Sequence, residues 1–177
     1  MAKSLYFIAI EIPSPLKEEI ISLKTNFIKK YGARHALNSP PHITLKMPMR
    51  IENEKEVLLV RSLADACLKI NRNSYKLKGI SSFPPRTVFI DVESSDWLKR
   101  TREIIQDAME KGEFSKQDGP FHPHVTLMTR DLKKTAYKQA MNDLKNVRFD
   151  RDLRADVITL FKHDGKQWNS LSPILLT

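Results

Sequence analysis

A histidine and a threonine, two positions apart, occur together at two places in the sequence. One segment reads Pro-His-Ile-Thr-Leu and contains His42 and Thr44, and the other reads Pro-His-Val-Thr-Leu and contains His124 and Thr126. Alternate side chains of an extended strand lie on the same face, so each histidine shares a face with its threonine. If the two strands face each other, two imidazoles and two hydroxyls meet at one point.

Such a group of side chains is suited to acid–base chemistry on an oxyanion. Histidine titrates near neutral pH, so one member of a pair can be neutral while the other is protonated. The neutral ring can take a proton from water, the imidazolium can give one to a leaving alkoxide, and threonine hydroxyls can donate to phosphate oxygens. None of the five glycines lies in a phosphate-binding loop pattern. We expect no metal and no cofactor.

A constant offset in residue number, which takes His42 to His124, relates the two motifs and extends beyond them. This repeat offset takes residues 7–11 (Phe-Ile-Ala-Ile-Glu) to residues 89–93 (Phe-Ile-Asp-Val-Glu), and a predicted helix cap, Ser14, to a second one, Asp96. Packing alone gives little reason to repeat a histidine and a threonine in register, so the repeat favours chemistry over a purely structural role. The sequence predicts one domain, 1–177, with halves at about 4–83 and 86–162 and a C-terminal strand at 167–176.

Hydrophobic periodicity predicts an alternating series of strands and helices. The first helix is expected to begin at the N-cap Ser14, with Pro15 in its first position, and to stop at Gly32. Another helix is expected to begin at the cap Asp96. That helix carries Trp97, Ile104, Ala108 and Met109 and is expected to end at Lys111 and Gly112. Strands are expected at 4–12, 75–83, 87–93, 147–153, 156–162 and 167–176 and at both motifs, and further helices at 54–70 and around 137–144.

Composition restricts the class of partner and the compartment. Thirty Lys and Arg against 21 Asp and Glu give a net charge of +9, which favours polyanions such as RNA without identifying one. A single cysteine, Cys67, excludes an intrachain disulfide framework and suits a reducing cytosol. The apolar run at residues 5–10 is too short for a signal sequence or a membrane span. We expect a cytoplasmic monomer that does not bind membranes.

Residues 7–13 (Phe-Ile-Ala-Ile-Glu-Ile-Pro), 41–46 (Pro-His-Ile-Thr-Leu-Lys) and 121–127 (Phe-His-Pro-His-Val-Thr-Leu) resemble the 2H phosphoesterase superfamily, and within it the LigT-like, or 2′-5′ RNA ligase, group. The resemblance covers nearly the whole chain, and paired His-x-Thr motifs are specific to that superfamily. It implies a bilobal α+β fold with two antiparallel sheets, outer helices and a central cleft. It also implies metal-independent hydrolysis of 2′,3′-cyclic phosphates to 2′-phosphates, in some members with reversible 2′-5′ RNA ligation.

The resemblance also implies roles for individual residues. The two family histidines map onto His42 and His124, and the two hydroxyl residues map onto Thr44 and Thr126. The family leans towards His124 as the base and His42 as the acid, an assignment that this sequence leaves open. The family often has arginine five residues after the second histidine, where this chain has threonine and then Arg130. It also often has a serine near the C-terminal strands and an arginine near the first strand, which are absent here, so the substrate and the ligase activity stay open.

Five further residues are candidates for binding phosphate or nucleotide. By strand alternation Lys46 shares the face of the first motif and Arg130 shares the face of the second. Arg86 lies in the loop before the first strand of the second half. Phe7 and Phe89 could stack on nucleobases, although packing is the role we favour for both. His35 and His163 are expected at the surface, and Trp168 is expected to pack the C-terminal strand.

Two alternatives remain open at this stage. His122 and His124 have metal-ligand spacing and His42 could be a third ligand, but neither motif has an acidic residue nearby, and the repeat pairs His122 with Pro40. The second alternative is a noncatalytic RNA- or nucleotide-binding module, which the basic charge suits and the paired titratable groups do not require. Suitable substrates include a tRNA end, a small cyclic nucleotide, a 2′-5′ oligonucleotide and a cyclic ADP-ribose derivative.

Overall fold

The computed structural model describes residues 2–177 and contains two four-stranded antiparallel sheets. The strands are β1 (Lys3–Glu11), β2 (His42–Glu52), β3 (Asn73–Phe83), β4 (Thr87–Val92), β5 (His124–Met128), β6 (Asp150–Ala155), β7 (Val157–His163) and β8 (Trp168–Leu175). The helices are α1 (Leu16–Tyr31), α2 (Glu56–Cys67), α3 (Asp96–Lys111) and α4 (Lys134–Leu144). The first sheet has the order β2-β1-β7-β8 and the second has the order β5-β4-β3-β6. The predicted α+β class with two antiparallel sheets is confirmed.

The two sheets exchange strands between the repeated halves. The repeat offset takes β1 to β4, β2 to β5, and the segment of β3 to the segment of β7. However, β3 pairs with β4 and β6 in the second sheet, whereas β7 pairs with β1 and β8 in the first. The first sheet therefore takes β7 from the second half, and the strand at the matching position of the first half, β3, lies in the second sheet.

The helix ends confirm one predicted signal and correct two others. Gly32 ends α1 in the left-handed region, at φ 74°, and its N–H donates to the carbonyl of Ile28. Ser14 does not cap α1, because its hydroxyl donates to the Glu18 carboxylate and the N-cap position belongs to the next residue, a proline. The cap of α3 is Ser95, whose Oγ accepts the N–H of Leu98. Asp96 is the first residue inside that helix.

The apolar residues of α3 face the core to different degrees. Met109 is fully buried, and Trp97, Ile104 and Ala108 are partly buried and pack against the core. The buried side consists of Leu98, Thr101, Ile105, Gln106 and Met109. Of the adjacent isoleucines, Ile105 lies on the buried side and Ile104 is partly buried beside it.

A β-bulge follows the His-x-Thr pair in both sheets. In the first sheet the pairing shifts between Ala9–Thr44 and Ile8–Lys46, and in the second sheet it shifts just beyond Thr126. A bulge places an extra residue in one strand, so side-chain alternation breaks at that point. As a result Leu45 and Lys46 are both buried, and so are the corresponding residues of the second sheet, Leu127 and Met128. The histidines and threonines lie before the bulges and keep their alternation.

The main hydrophobic core lies between the sheets and the helices and includes β1, β2, β4 and β5 side chains from both halves. A smaller cluster of Phe7, Ala9 and Phe161, with Trp168 packed against it, lies on the other face of the first sheet. Among residues 2–177, no helix is long and apolar enough to cross a membrane.

Candidate active site

One cleft brings the two His-x-Thr pairs together. His42 and Thr44 lie at the start of β2, an edge strand of the first sheet, and His124 and Thr126 lie at the start of β5, an edge strand of the second. All four side chains line a cavity of about 640 Å³, which we call the central cleft. The four residues that the sequence selected from the motifs therefore share one site.

The two imidazoles are anchored in the same way. Nδ1 of His42 is 2.7 Å from the carbonyl oxygen of Pro40, and Nδ1 of His124 is 2.7 Å from the carbonyl oxygen of His122. A carbonyl oxygen only accepts hydrogen bonds, so Nδ1 must carry the hydrogen in both rings. The neutral form of each ring consequently has its free lone pair on Nε2. These two nitrogens are the atoms that can accept or donate a proton at the site.

Buried phenylalanines support both histidine rings. The ring of Phe7 is 4.7 Å from that of His42, and the ring of Phe89 is 4.8 Å from that of His124, measured between centroids. Phe7 is 3% exposed and Phe89 is 0% exposed, and Phe7 is among the residues that line the central cleft. This burial fits the packing role that we favour for both residues. Their packing role orients the imidazoles.

The surroundings shift the pKa values of both catalytic candidates downward. Burial lowers the pKa of His42 to about 4, and the positive charges of Lys24 and His124 act in the same direction, against its hydrogen bond to Pro40. Burial also lowers the pKa of His124, assisted by His122, whereas the backbone hydrogen bond and the Asp91 carboxylate raise it. Only His124 therefore has an acidic group that opposes the effect of burial.

Lys46 does not lie in the cleft, which corrects the prediction from strand alternation. The bulge turns its side chain to the opposite face, where it is 1% exposed. Its ammonium group donates to Gln106 Oε1 at 2.9 Å, to the Lys116 carbonyl at 2.6 Å and to Asp118 Oδ1 at 2.8 Å. An ammonium group has three hydrogens, so these partners use all of them. Lys46 stabilises the loop before β5 and is not available to bind phosphate.

The two arginine candidates differ in position. Arg130 lines the central cleft with Thr129, and its side chain is exposed. It lies after the end of β5 with φ 56°, so a left-handed loop residue, not strand alternation, places it there. Arg86 is exposed in the turn between β3 and β4 and is not among the described residues that line the cleft. The structure supports Arg130 as a cleft residue and gives no support to Arg86.

Five residues that the sequence reasoning missed or placed elsewhere also line the cleft: Lys24, His35, His163, Lys166 and Trp168. Trp168 packs edge-on against Phe7, with ring centroids 4.7 Å apart, and against His163 at 4.8 Å. The turn between β7 and β8 brings His163, Lys166 and Trp168 there, because β7 crosses into the first sheet. Lys24 left a signal in the sequence, since this lysine stands four residues after Ile20 on the apolar side of α1.

The cleft has a charge pattern suited to an anion. Lys24, Arg130 and Lys166 line it, and no aspartate or glutamate is found among its described lining residues. Clefts lined by one sign of charge concentrate ligands of the opposite sign. The site is therefore electrostatically matched to phosphate groups.

A second, more apolar space adjoins the histidines. This cavity of about 290 Å³, which we call the apolar arm, shares Thr44, Met47 and His124 with the central cleft. Phe83 also lines it, and the exposed fractions of Phe83 and Met47 are 41% and 56%. Exposed apolar side chains beside a polar centre suit the flat face of an aromatic ring.

His122 has an acidic neighbour that the sequence did not predict. Its Nε2 lies 3.1 Å from Oδ1 of Asp91 on the adjacent strand β4. Within residues 2–177, no three His, Cys, Asp or Glu side chains are grouped so that they could hold a metal ion. The structure therefore gives His122 a carboxylate partner, Asp91.

Comparisons with known proteins identify a matching family, related sequences and a shared fold. A model of the 2′-5′ RNA ligase superfamily matches residues 12–167. A candidate phosphoesterase of Geobacillus kaustophilus is 29% identical over 130 residues, 72% of each chain. A protein of Methanocaldococcus jannaschii named RNA 2′,3′-cyclic phosphodiesterase is 28% identical over 125 residues, 68% of each chain. The crystal structure of E. coli LigT complexed with 3′-AMP has the same fold, with a TM-score of 0.71, 20% identity and 99% of both chains covered.

Proposed function

This chain belongs to the 2′-5′ RNA ligase superfamily, and we propose that it hydrolyses 2′,3′-cyclic phosphodiesters of RNA or nucleotides to 2′-phosphates with two histidines and no metal ion. The observation that carries the proposal is the matched anchoring of His42 and His124. Each ring donates Nδ1–H to a backbone carbonyl at 2.7 Å. Two free Nε2 atoms facing one cleft form a proton acceptor and a proton donor for a single substrate.

The proposed reaction is an in-line attack of water on the cyclic phosphate. One imidazole accepts the proton of the water as its oxygen bonds to phosphorus, and the bond from phosphorus to the 3′-oxygen breaks. The other imidazole protonates the departing 3′-oxygen. The hydroxyls of Thr44 and Thr126 donate to the nonbridging oxygens as negative charge builds up on them. The product is a 2′-phosphate with a free 3′-hydroxyl.

Four further observations support an RNA or nucleotide substrate. The central cleft is cationic, and the apolar arm offers space for a nucleobase beside His124. A relative is named RNA 2′,3′-cyclic phosphodiesterase, and a structural neighbour has been crystallised with 3′-AMP. The same steps give a 2′-5′ linkage when a 5′-hydroxyl of a second strand takes the place of the attacking water, which is the proposed ligase activity.

Hydrolysis assays in EDTA test the proposal directly. The substrates are 2′,3′-cyclic nucleotides and a short oligoribonucleotide that ends in a 2′,3′-cyclic phosphate, and ³¹P NMR identifies the regiochemistry of the product. Replacing either imidazole, in His42→Ala or His124→Ala, should lower turnover by about 10²–10⁴-fold. Circular dichroism should show that both variants are folded. A second strand with a 5′-hydroxyl, added to the oligonucleotide, tests ligation.

A matched control replaces His163, a histidine at the same cleft with no assigned proton transfer. The variant His163→Ala should lose less than about tenfold in turnover. Near wild-type turnover in either His42→Ala or His124→Ala would contradict the mechanism. Tight binding of RNA ends without any turnover would favour the noncatalytic binding module instead.

We further propose that the protein acts as a monomer in the cytoplasm, on RNA or nucleotides and not at a membrane. Its thiol, Cys67, is buried, and burial raises its pKa to about 12, so it is unreactive in the folded chain. Size-exclusion chromatography with light scattering measures the oligomeric state, and a stable dimer would contradict this part of the proposal.

A further inference from the structure

Two lysines are buried among residues 2–177, and they differ in their partners. Lys46 is 1% exposed and forms an ion pair with the Asp118 carboxylate. Lys24 is 3% exposed, and its ammonium group has no carboxylate partner among the side chains of residues 2–177. Buried ammonium groups are normally paired with an acid. The negative charge that balances Lys24 is therefore left for a ligand to supply.

The ammonium group of Lys24 has one hydrogen that no protein acceptor uses. Nζ donates to the carbonyl oxygens of Ala36 at 3.0 Å and Ser39 at 3.5 Å, in the segment that leads to His42. These two neutral acceptors use two of its three hydrogens. Because Lys24 lines the central cleft, the third hydrogen can be given to an anion there. Its positive charge also helps burial to lower the pKa of His42, which places it on that side of the cleft.

Two other basic side chains lie beside Lys24. His35 precedes Ala36, whose carbonyl oxygen holds Lys24, and both His35 and Arg130 line the central cleft. Burial lowers the pKa of His35, and the positive charge of Arg130 acts in the same direction, whereas Asp131 raises it. The imidazole and the guanidinium are therefore near each other. We call Lys24, His35 and Arg130 the basic wall of the cleft.

Both halves of the chain hold the basic wall in place. Oδ2 of Asp131 accepts the backbone N–H of Arg34 at 2.7 Å and of His35 at 3.0 Å, so it joins the segment before β2 to the loop after β5. The backbone N–H of Asp131 donates to the Thr129 carbonyl at 2.7 Å, across Arg130 in its left-handed conformation. Asp131 itself is not among the described residues that line the cleft. The wall is therefore preformed, and its surface towards the cleft is positive.

The shape of a 2′,3′-cyclic nucleotide indicates which group reaches this wall. Its cyclic phosphate spans O2′ and O3′, its base is attached to C1′ next to C2′, and its 5′-oxygen extends from C4′ next to C3′. The base and the 5′-oxygen therefore lie on opposite sides of the reacting phosphate. With the phosphate between the two histidines and the base in the apolar arm beside His124, the 5′-oxygen points to the His42 side, where the basic wall lies.

We propose that the basic wall is a second phosphate subsite, which binds the 5′-phosphate of the nucleotide whose cyclic phosphate reacts. This inference rests on the proposed function. Lys24 donates its third hydrogen to a phosphate oxygen, and Arg130 and His35 border the same group. In an RNA chain this group is the phosphodiester to the preceding nucleotide, and in a free nucleotide it is a phosphomonoester. The subsite therefore selects nucleotides with a 5′-phosphate over those with a free 5′-hydroxyl.

Binding of product analogues tests the subsite without any turnover. Adenosine 2′,5′-bisphosphate and adenosine 2′-phosphate differ only in the 5′-phosphate, and isothermal titration calorimetry gives Kd for both. Wild type should bind the bisphosphate about tenfold more tightly, because hydrogen bonds between charged groups are strong. Lys24→Met should lose most of this advantage. Lys29→Met removes an exposed charge from the same helix and should keep it.

The comparison of two ligands within one variant cancels any general loss of affinity, so a partly disturbed variant still gives an answer. Equal affinity of wild type for the two ligands would overturn the subsite, as would a Lys24→Met variant that keeps the full advantage. Loss of the advantage in Lys166→Met but not in Lys24→Met would place the 5′-phosphate at the turn between β7 and β8, and would also overturn the proposal.

Turnover identifies the source of the 5′-phosphate. The substrates are adenosine 2′,3′-cyclic phosphate, the same nucleotide with a 5′-phosphate, and a dinucleotide that ends in the cyclic phosphate. Lys24→Met should lower the ratio of kcat/KM values that favours the two substrates with a 5′-phosphate. A larger Lys24-dependent advantage for the dinucleotide supports an RNA end as the occupant, and a larger one for the phosphomonoester supports a free nucleotide. A wild-type protein that hydrolyses none of the three would sink the proposed function, and the calorimetric comparison would still decide the subsite.

Discussion

Burial of the Lys24 ammonium group should lower the stability of the folded protein, because burial disfavours the charged form. Replacement by methionine, which has an unbranched side chain of similar size, measures this cost. Burial lowers the pKa of Lys24 from 10.5 to about 8. At about 1.36 kcal/mol per pH unit, the charged form is destabilised in the folded state by about 3 kcal/mol. Lys24→Met removes this cost, but it leaves the Ala36 carbonyl without its donor, at about 1–3 kcal/mol. We expect a variant about 1 kcal/mol more stable near neutral pH.

The pH dependence of this difference identifies its origin. The folded pKa of Lys24 lies below the unfolded one, so the destabilising effect is fully present below about pH 8 and is relieved as the pH rises towards 10.5. Between about pH 6.5 and about pH 9.5 the advantage of Lys24→Met should fall by about 2 kcal/mol. The variant should therefore be the more stable protein at the lower pH and the less stable one at the higher pH.

Urea unfolding of both proteins at the two pH values measures the difference, and comparison with wild type cancels other titrating groups. Lys29→Met is the matched control, because Lys29 is exposed on the same helix and its replacement should change stability by less than about 0.5 kcal/mol at either pH. A Lys24→Met variant that is destabilised equally at both pH values would refute the reasoning. It would show that Lys24 is structural and that its charge is not held at a cost.

Two further predictions concern the other charged residues of the fold. Asp118→Ala leaves the buried ammonium of Lys46 without its carboxylate partner at 2.8 Å. Urea unfolding should therefore show that the free energy of unfolding falls by about 3 kcal/mol or more. A fall of less than about 1 kcal/mol would contradict the burial of that charge. Arg130→Gln should raise KM for the oligonucleotide by several-fold at low salt. The increase should be smaller in about 0.5 M salt, because salt screens exposed charges. An increase that does not depend on salt would argue against a phosphate contact.

The repeated motif was the most informative feature of the sequence. Periodicity predicts the order of strands and helices, and the repeat offset selects His42 and His124 together because it also aligns the strand before each of them. Strand alternation places each histidine beside its threonine, and the structure keeps that relation because the bulges come later in each strand. Gly32 was similarly readable, since few residues other than glycine adopt its positive φ easily.

Lys46 shows why the same reasoning failed two residues after Thr44. A bulge depends on how a strand pairs with its neighbour, here β2 with β1, and this information is not present in the local sequence of β2. Once the register slips, the residues that follow change face, so Lys46 leaves the cleft and enters a buried network with Asp118.

His163 and Trp168 show a second limit, which is topology. Both residues lie at the cleft because β7 pairs with β1 in the first sheet. The turn from β7 to β8 then reaches the cleft beside Phe7. The repeat aligned β7 with β3 but could not show that the halves exchange these strands. Lys24 was the exception, because a lysine on the apolar side of a helix is itself a sign of an unusual environment.

The two halves differ in the residues around their histidines. This difference affects the rate of a reaction that needs one imidazole neutral and the other protonated. If two imidazoles had equal, independent pKa values, the state with the base neutral and the acid protonated would reach only about a quarter of the population at any pH. If the base has a pKa about two units below that of the acid, this state rises to about four-fifths at the intermediate pH. Burial lowers the pKa of both rings, and the Lys24 charge adds to this effect at His42 whereas the Asp91 carboxylate opposes it at His124, so the two rings are not equivalent. A bound phosphate raises both pKa values by its charge and so moves this window towards neutral pH.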